Sequence, residues 1–173
     1  MLGTSAAGET LTPEPTNDTY NFVTHYRVHI NSPPESVWPF LIDFKSWMYE
    51  FELSTISGET GSAGQILRLY PDQDFKIQVT QVIPNEMIAV VNLPITFRDE
   101  FGTGVGVFTL HETDAGSEVA LTMSRRYTWK GEGENPLRAT RESAQFHEQT
   151  RSMWQRRFLA RLKELAEGSP DDV

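Results

Sequence analysis

The sequence predicts an α+β domain in which one antiparallel sheet of seven strands is covered by a long C-terminal helix. Three observations carry that prediction. Apolar alternation opens the ordered part of the chain, six further strand-like runs follow one another across short turn signals, and the last thirty residues repeat their apolar positions at helical spacing. Short breaks between strands favour antiparallel neighbours, because a parallel return needs a crossover of a dozen residues or more.

The first strand is expected from Tyr20 to Ile30. Tyr20, Phe22, Thr24, Tyr26, Val28 and Ile30 alternate with Asn21, Val23, His25, Arg27 and His29, and a period of two places the first set on one inward face. Ser32-Pro33-Pro34-Glu35 then has the spacing of a capping box with proline in the first helical turn. Val37, Phe40, Leu41 and Phe44 give that short helix an apolar face to about Asp43. A second short helical turn, Ser46 to Glu50, presents Trp47 or Tyr49.

The six remaining strands are expected at Phe51–Ile56, Gln65–Tyr70, Phe75–Ile83, Met87–Asn92, Phe101–His111 and Glu118–Trp129. Their breaks are rich in Gly, Pro, Asn and Asp, including Pro84-Asn85, Leu93-Pro94 and Asp114-Ala115-Gly116. The final helix is expected to run unbroken from an N-cap at Asn135, with Pro136 first, to a stop at Gly168 and Pro170. At 100° per residue, Thr140, Ala144, His147, Arg151, Trp154, Phe158, Leu162 and Leu165 share one stripe, apolar only in its second half.

Composition excludes several functions. The 173 residues include no cysteine, so disulfides, a Cys nucleophile and Cys-ligated metal sites are impossible. Fifteen Lys and Arg against twenty-four Asp and Glu give a net charge of −9, a poor basis for binding a phosphate backbone. Nucleic acid is therefore not an expected partner. That charge is uneven, since residues 136–167 carry seven cations and four Glu, or +3, leaving −12 on the rest. No apolar run approaches the ~20 residues that span a bilayer, so stable membrane insertion is not expected either. Residues 1–19 hold no Lys or Arg and no apolar run. They are expected to be a disordered tail without an export signal, and the chain is expected in the cytoplasm. Residues 20–168 form the expected domain, and 169–173 a C-terminal tail.

The order strand, two short helices, six strands and a long helix resembles the START and birch-pollen-allergen-like superfamily, in its polyketide cyclase/dehydrase and lipid-transport branch. The residues that carry the resemblance are His29-Ile30-Asn31-Ser32-Pro33-Pro34-Glu35-Ser36-Val37-Trp38, then Asp43 with Trp47. To these are added Phe108-Thr109-Leu110, Gly116 to Leu121, and the terminal Trp154, Phe158, Leu162 and Leu165. The resemblance implies a helix-grip fold, a curved sheet wrapped around the C-terminal helix, with a cavity between them for a small hydrophobic or aromatic ligand. It implies no cofactor and no metal.

Residues of this chain give the cavity physical content. Gly102, Gly104 and Gly106 share a strand face with Phe108 and Leu110, which leaves one end of that face without side chains. Such a stretch fits either a cavity wall or a close approach of the helix backbone. On the next strand Val119, Leu121, Met123, Arg125, Tyr127 and Trp129 alternate on one face. If Val119 and Leu121 point inward, as the resemblance implies, Arg125 and Tyr127 follow. An inward arginine needs a counter-charge or a ligand oxygen. Two readings stay open: Arg125 pairs with Asp43, Glu50 or Glu52 while His147 makes a helix contact, or Arg125, Tyr127 and His147 form a polar, catalytic end to the pocket, with His147 moving a proton. Ligand-contacting residues are expected to be Arg151, Trp154, Phe108, Met123, Gly104, Trp47 and Phe158. The functions that follow are binding of a lipid-like or aromatic polyketide-like molecule, or a metal-independent cyclase or dehydratase. His25 and His29, about 13 Å apart on a strand, cannot share a metal.

Overall fold

A computed structural model describes residues 18–97 and 99–168, without the side chains of 94–97. It shows seven antiparallel strands in one curved sheet, ordered β1-β7-β6-β5-β4-β3-β2. Apart from Asp18 and Thr19, the expected tails lie outside the described residues. Strand β1 starts at Thr19 and is held from the residue before it, because Trp129 N–H donates to Asp18 O at 2.8 Å.

In β1 (Thr19–Ile30) the expected alternation appears, with Tyr20, Tyr26 and Ile30 buried and Val23 exposed. Helix α1 (Pro34–Ile42) takes Pro34 into its first turn, but Ser32 does not cap it. Its hydroxyl instead donates to Ala166 O at 3.2 Å, spending its hydrogen bond on the far end of the chain. Helix α2 (Phe44–Trp47) is followed by a single 3₁₀ turn, Tyr49–Phe51. Phe51 was expected to begin a strand. It is drawn into the core instead, 5.0 Å from the Phe158 ring and 5.6 Å from Tyr70, and β2 (Ser54–Ser57) starts only after Glu52 has turned the chain in a left-handed conformation.

Strands β3 (Ile66–Arg68) and β4 (Lys76–Ile83) complete the short side of the sheet. The expected break at Leu93-Pro94 is a bulge within one long strand, β5 (Met87–Phe97), whose pairing with β6 (Glu100–Thr113) shifts between Asn92 and Ile95. A bulge tolerates proline because it leaves a residue outside the ladder. No such shift interrupts the pairing of β6 with β7 (Gly116–Trp129), or of β7 with β1. This continuity matters below, since one slipped residue would turn Arg125 to the other face.

The expected single C-terminal helix is divided. A short α3 (Arg138–Glu142) ends at Ser143, which has extended backbone angles and caps α4 (Ala144–Arg151) by accepting from Phe146 N–H at 3.1 Å. A π-helical stretch, Ser152–Phe158, then leads into α5 (Leu159–Glu167). Asn135 does not cap α3 directly; its Oδ1 accepts from Leu137 N–H at 2.8 Å while its Nδ2 turns inward. Only from Thr150 onward does the helix bury side chains, with Trp154, Phe158, Leu159 and Leu162 in the core. There Trp154 and Phe158 close an aromatic cluster with Phe44, Trp47 and Phe108 from the facing elements.

Polar side chains of the helix also reach the outer edge of β1. Gln155 accepts from Arg27 N–H at 3.1 Å and donates back to Arg27 O. Farther along, Lys163 Nζ donates to His29 O at 2.9 Å and Glu167 accepts from Asn31 N–H at 2.6 Å.

Candidate functional site

The concave face of the sheet and the helix enclose a cavity of about 60 Å³. Its wall is nearly all apolar. Phe44, Met48 and Phe51 come from the short helical turns, Leu69, Phe75 and Ile77 from the β3–β4 side, and Phe108, Leu121, Met123 and Trp154 from the long strands and the helix. Among the described residues, Asn92 and Arg125 bring polar side chains to it, and Trp154 an indole N–H. The volume is well below the ~300–1,000 Å³ of drug-sized ligand sites. At roughly 10–15 Å³ per water it has room for about four to six.

Gly104 and Gly106 are part of this wall, and the choice between cavity and close helix approach can be made from what surrounds them. A Cβ on Gly106 would meet Val90 Cγ2 at 3.2 Å, Leu121 Cδ1 at 3.8 Å and Met123 Cγ at 4.0 Å. A Cβ on Gly104 would meet Asn92 Nδ2 at 3.1 Å, with Arg125 Cγ and Ser124 O at 3.4 Å. All of these atoms belong to neighbouring strands and none to the helix. The missing side chains make room for Asn92 and Arg125 to lean over β6.

Arg125 is inward and half-buried, as the strand period predicts. None of the three expected acids pairs with it: Glu50 binds Arg157 through both carboxylate oxygens, at 2.7 and 2.8 Å, and Asp43 and Glu52 make no ion pair among the described residues. Among the described residues the one side-chain hydrogen bond of Arg125 is a weak one, Nη2 to Met123 Sδ at 3.8 Å. Asn92 stands immediately before the β5 bulge, a place where a strand can re-aim a side chain. Trp154 is 6% exposed, and its indole N–H is buried without an acceptor among the described residues.

The other predicted residues are dispersed. Phe108, Met123, Gly104 and Trp154 line the cavity with Arg125. Trp47 and Phe158 are fully buried behind the wall, Trp47 against Phe108 at 5.6 Å and Phe158 against Trp154 at 5.3 Å. Arg151 is outside: its side chain is 65% exposed and faces Glu148 at 4.0 Å. His147 is also on the exposed side, its ring edge-on to Phe22 at 5.8 Å. The reason is helical register, because the i→i+5 bonding of the π stretch, Ser152–Phe158, rotates the residues before it off the stripe that Trp154 and Phe158 occupy. Tyr127 keeps its inward face but is sandwiched, stacked on Tyr20 at 5.4 Å and covered by the Arg141 guanidinium at 4.7 Å.

That sandwich belongs to a polar cluster the sequence reading missed. Glu100, 1% exposed, accepts from Tyr20 Oη at 2.7 Å and Asn135 Nδ2 at 3.0 Å, and its other oxygen faces Arg141 at 3.6 Å. Burial, then the hydrogen bond to Glu100, pushes the Tyr20 phenol far above its ordinary range, so it remains a donor. A signal was available: Glu100 has the same strand parity as Gly102, Gly104 and Phe108. Its partners are 35 and 80 residues away, which sequence spacing does not reveal.

No family model matches the chain, and no curated protein matches it in sequence. Solved structures do. Ara h 8.0201 superposes with a TM-score of 0.54 at 9% identity over 86% of this chain and 98% of its own. The Aha1 dimer from Colwellia psychrerythraea gives 0.55 at 16% identity over 86% and 98%. DynU16, from the dynemicin biosynthetic locus, gives 0.54 at 16% identity over 84% of this chain and 47% of its own. The fold is the helix-grip. At such identities the helix-grip likeness concerns backbone architecture alone, and no functional residue is carried from these proteins to this one. In this helix-grip the cavity and its two polar side chains are the site to explain. No group of three His, Asp or Glu among the described residues is placed to hold a metal, and no described helix is long and apolar enough to cross a membrane.

Proposed function

We propose that the protein binds a compact hydrophobic ligand, aromatic rather than lipid-like, in the cavity between the sheet and the C-terminal helix. The observation that carries this reading is the pairing of two glycines with Arg125 and Asn92 at one end of an otherwise apolar cavity. Natural cores pack to crystal density and do not leave an arginine without a counter-charge. The small volume leaves no room for a lipid chain, and because a benzene-sized site is nearer to about 150 Å³, a single ring enters as flexible wall side chains such as Met48 and Met123 give way. The cyclase or dehydratase reading is the weaker of the two, because no carboxylate or histidine among the described residues lines the cavity and His147, its expected proton carrier, lies outside.

The test is native mass spectrometry of the purified protein beside a Gly106→Val variant that fills the wall. A small organic mass bound to the wild type and lost in the variant is the expected result. If no added or co-purified aromatic compound binds, or if the variant binds as the wild type does, the cavity is not a ligand site.

A further inference from the structure

The cavity wall is asymmetric in charge, and the asymmetry specifies its ligand more narrowly than hydrophobicity does. Among the described residues that line it there is one cation, Arg125, one amide, Asn92, and no carboxylate. Glu50 is engaged with Arg157, and Glu100 with Tyr20, Asn135 and Arg141, while Asp43 and Glu52 are not among the residues that line the cavity. Among the described residues the side chain of Arg125 has only the methionine sulfur as a hydrogen-bond partner. Trp154, on the same wall, holds a buried indole N–H that meets no acceptor among the described residues. Donors without acceptors are the complement of an anion. A guanidinium suits a planar pair of oxygens, which it binds through two parallel N–H bonds.

Building on the ligand-binding reading above, we infer that the occupant is a compact aromatic monoanion of the carboxylate class. Its two oxygens dock on Arg125, Asn92 donates beside them, and its ring lies among Phe108, Met123 and Trp154. The −12 charge borne outside residues 136–167 does not oppose this, because fields from exposed charges are screened within about 10 Å in salt while a half-buried guanidinium acts at contact. Gly104 is the positioning element: a side chain there would press on Asn92 Nδ2 and Arg125 Cγ together.

The experiment compares benzoate with benzamide, which share shape and differ in charge. Each is titrated into ¹⁵N-labelled protein while the amide signals of Gly104 and Gly106 are followed, in the wild type, in Arg125→Met and in Arg125→Lys, each variant first checked for native dispersion. Wild type should bind benzoate about tenfold more tightly than benzamide, since charge-assisted bonds are about twice as strong as neutral ones. The ratio should fall to about one in Arg125→Met and recover in part in Arg125→Lys, whose ammonium keeps the charge but loses the fork. Equal binding of both compounds by the wild type would overturn the anion while leaving the pocket standing. A preference for benzoate that persists in Arg125→Met would overturn the role of that residue. If neither compound moves the Gly104 and Gly106 signals, the pocket reading fails and this inference with it.

Discussion

Glu100 offers the sharpest test of how the sheet, the loop after β7 and the start of the helix are joined. Replacing it with leucine keeps roughly its volume but leaves the Tyr20 hydroxyl and the Asn135 amide without their acceptor. Each stranded buried donor costs about 1–3 kcal/mol, and part of this is offset because a carboxylate no longer has to be desolvated. The expected net loss is about 2–4 kcal/mol. For a chain of this length 1 kcal/mol moves Tm by about 2–4 °C, so Glu100→Leu should melt roughly 4–16 °C below wild type. Tyr20→Phe alone removes one charge-assisted hydrogen bond and should cost about 1.5–3 kcal/mol. In the double variant the hydroxyl is no longer stranded, and the combined loss should fall short of the sum by about 1.5 kcal/mol. Urea denaturation of all four proteins closes the cycle. A Glu100→Leu variant within about 0.5 kcal/mol of wild type, or strict additivity, would refute the claim that Glu100 is a paired, buried charge.

Other expectations follow from single contacts. Gly106→Val should abolish the movement of the Gly104 amide by benzoate, at a stability cost of about 1–3 kcal/mol from pressing on Val90, read by urea denaturation and the same titration. Ser143→Ala removes the cap of α4 and should cost about 1 kcal/mol by the same denaturation. His147→Ala should leave benzoate affinity unchanged, because the ring lies outside the cavity; a tenfold loss would return His147 to the site. The Glu167 carboxylate is raised by its burial, but the Asn31 N–H and Lys163 outweigh this and hold it below the usual value of 4.5. Its contribution is therefore complete above that value and is lost as pH falls through the lower native one. A Glu167→Gln variant should show a shallower acid-side decline of Tm than wild type, and parallel curves would show that Glu167 plays no part.

The sheet was legible because strand parity is a local rule. Arg125 could be placed on the inner face from Val119 and Leu121 alone, and it held because β7 pairs on both sides without a bulge. Helical phase was less legible. A stripe drawn at a constant angle assumes unbroken i→i+4 bonding, and the π stretch does not announce itself in residue types, so Arg151 and His147 were carried to the wrong side. Of the three alternate glycines Gly104 and Gly106 do line the cavity and Gly102 does not, and the cavity's size was not readable at all, since volume depends on how Phe44, Met48 and Phe75 lean in from other elements. Glu100 obeyed the same parity as those glycines. Its significance depended on Tyr20, Asn135 and Arg141, which only the fold brings together.

The contacts of Gln155 with the backbone of Arg27 have a consequence for the protein in crowded solution. Strand β1 is a twelve-residue edge, and an edge of that length displays unpaired N–H and C=O groups to which a foreign strand can add. A glutamine amide that both accepts and donates at one residue mimics a paired strand there, and Lys163 and Glu167 occupy further edge groups at His29 and Asn31. The opposite edge, β2, is only four residues long. The C-terminal helix thus also guards its own sheet against strand-by-strand association, and loosening it would expose β1 to self-assembly as well as opening the cavity.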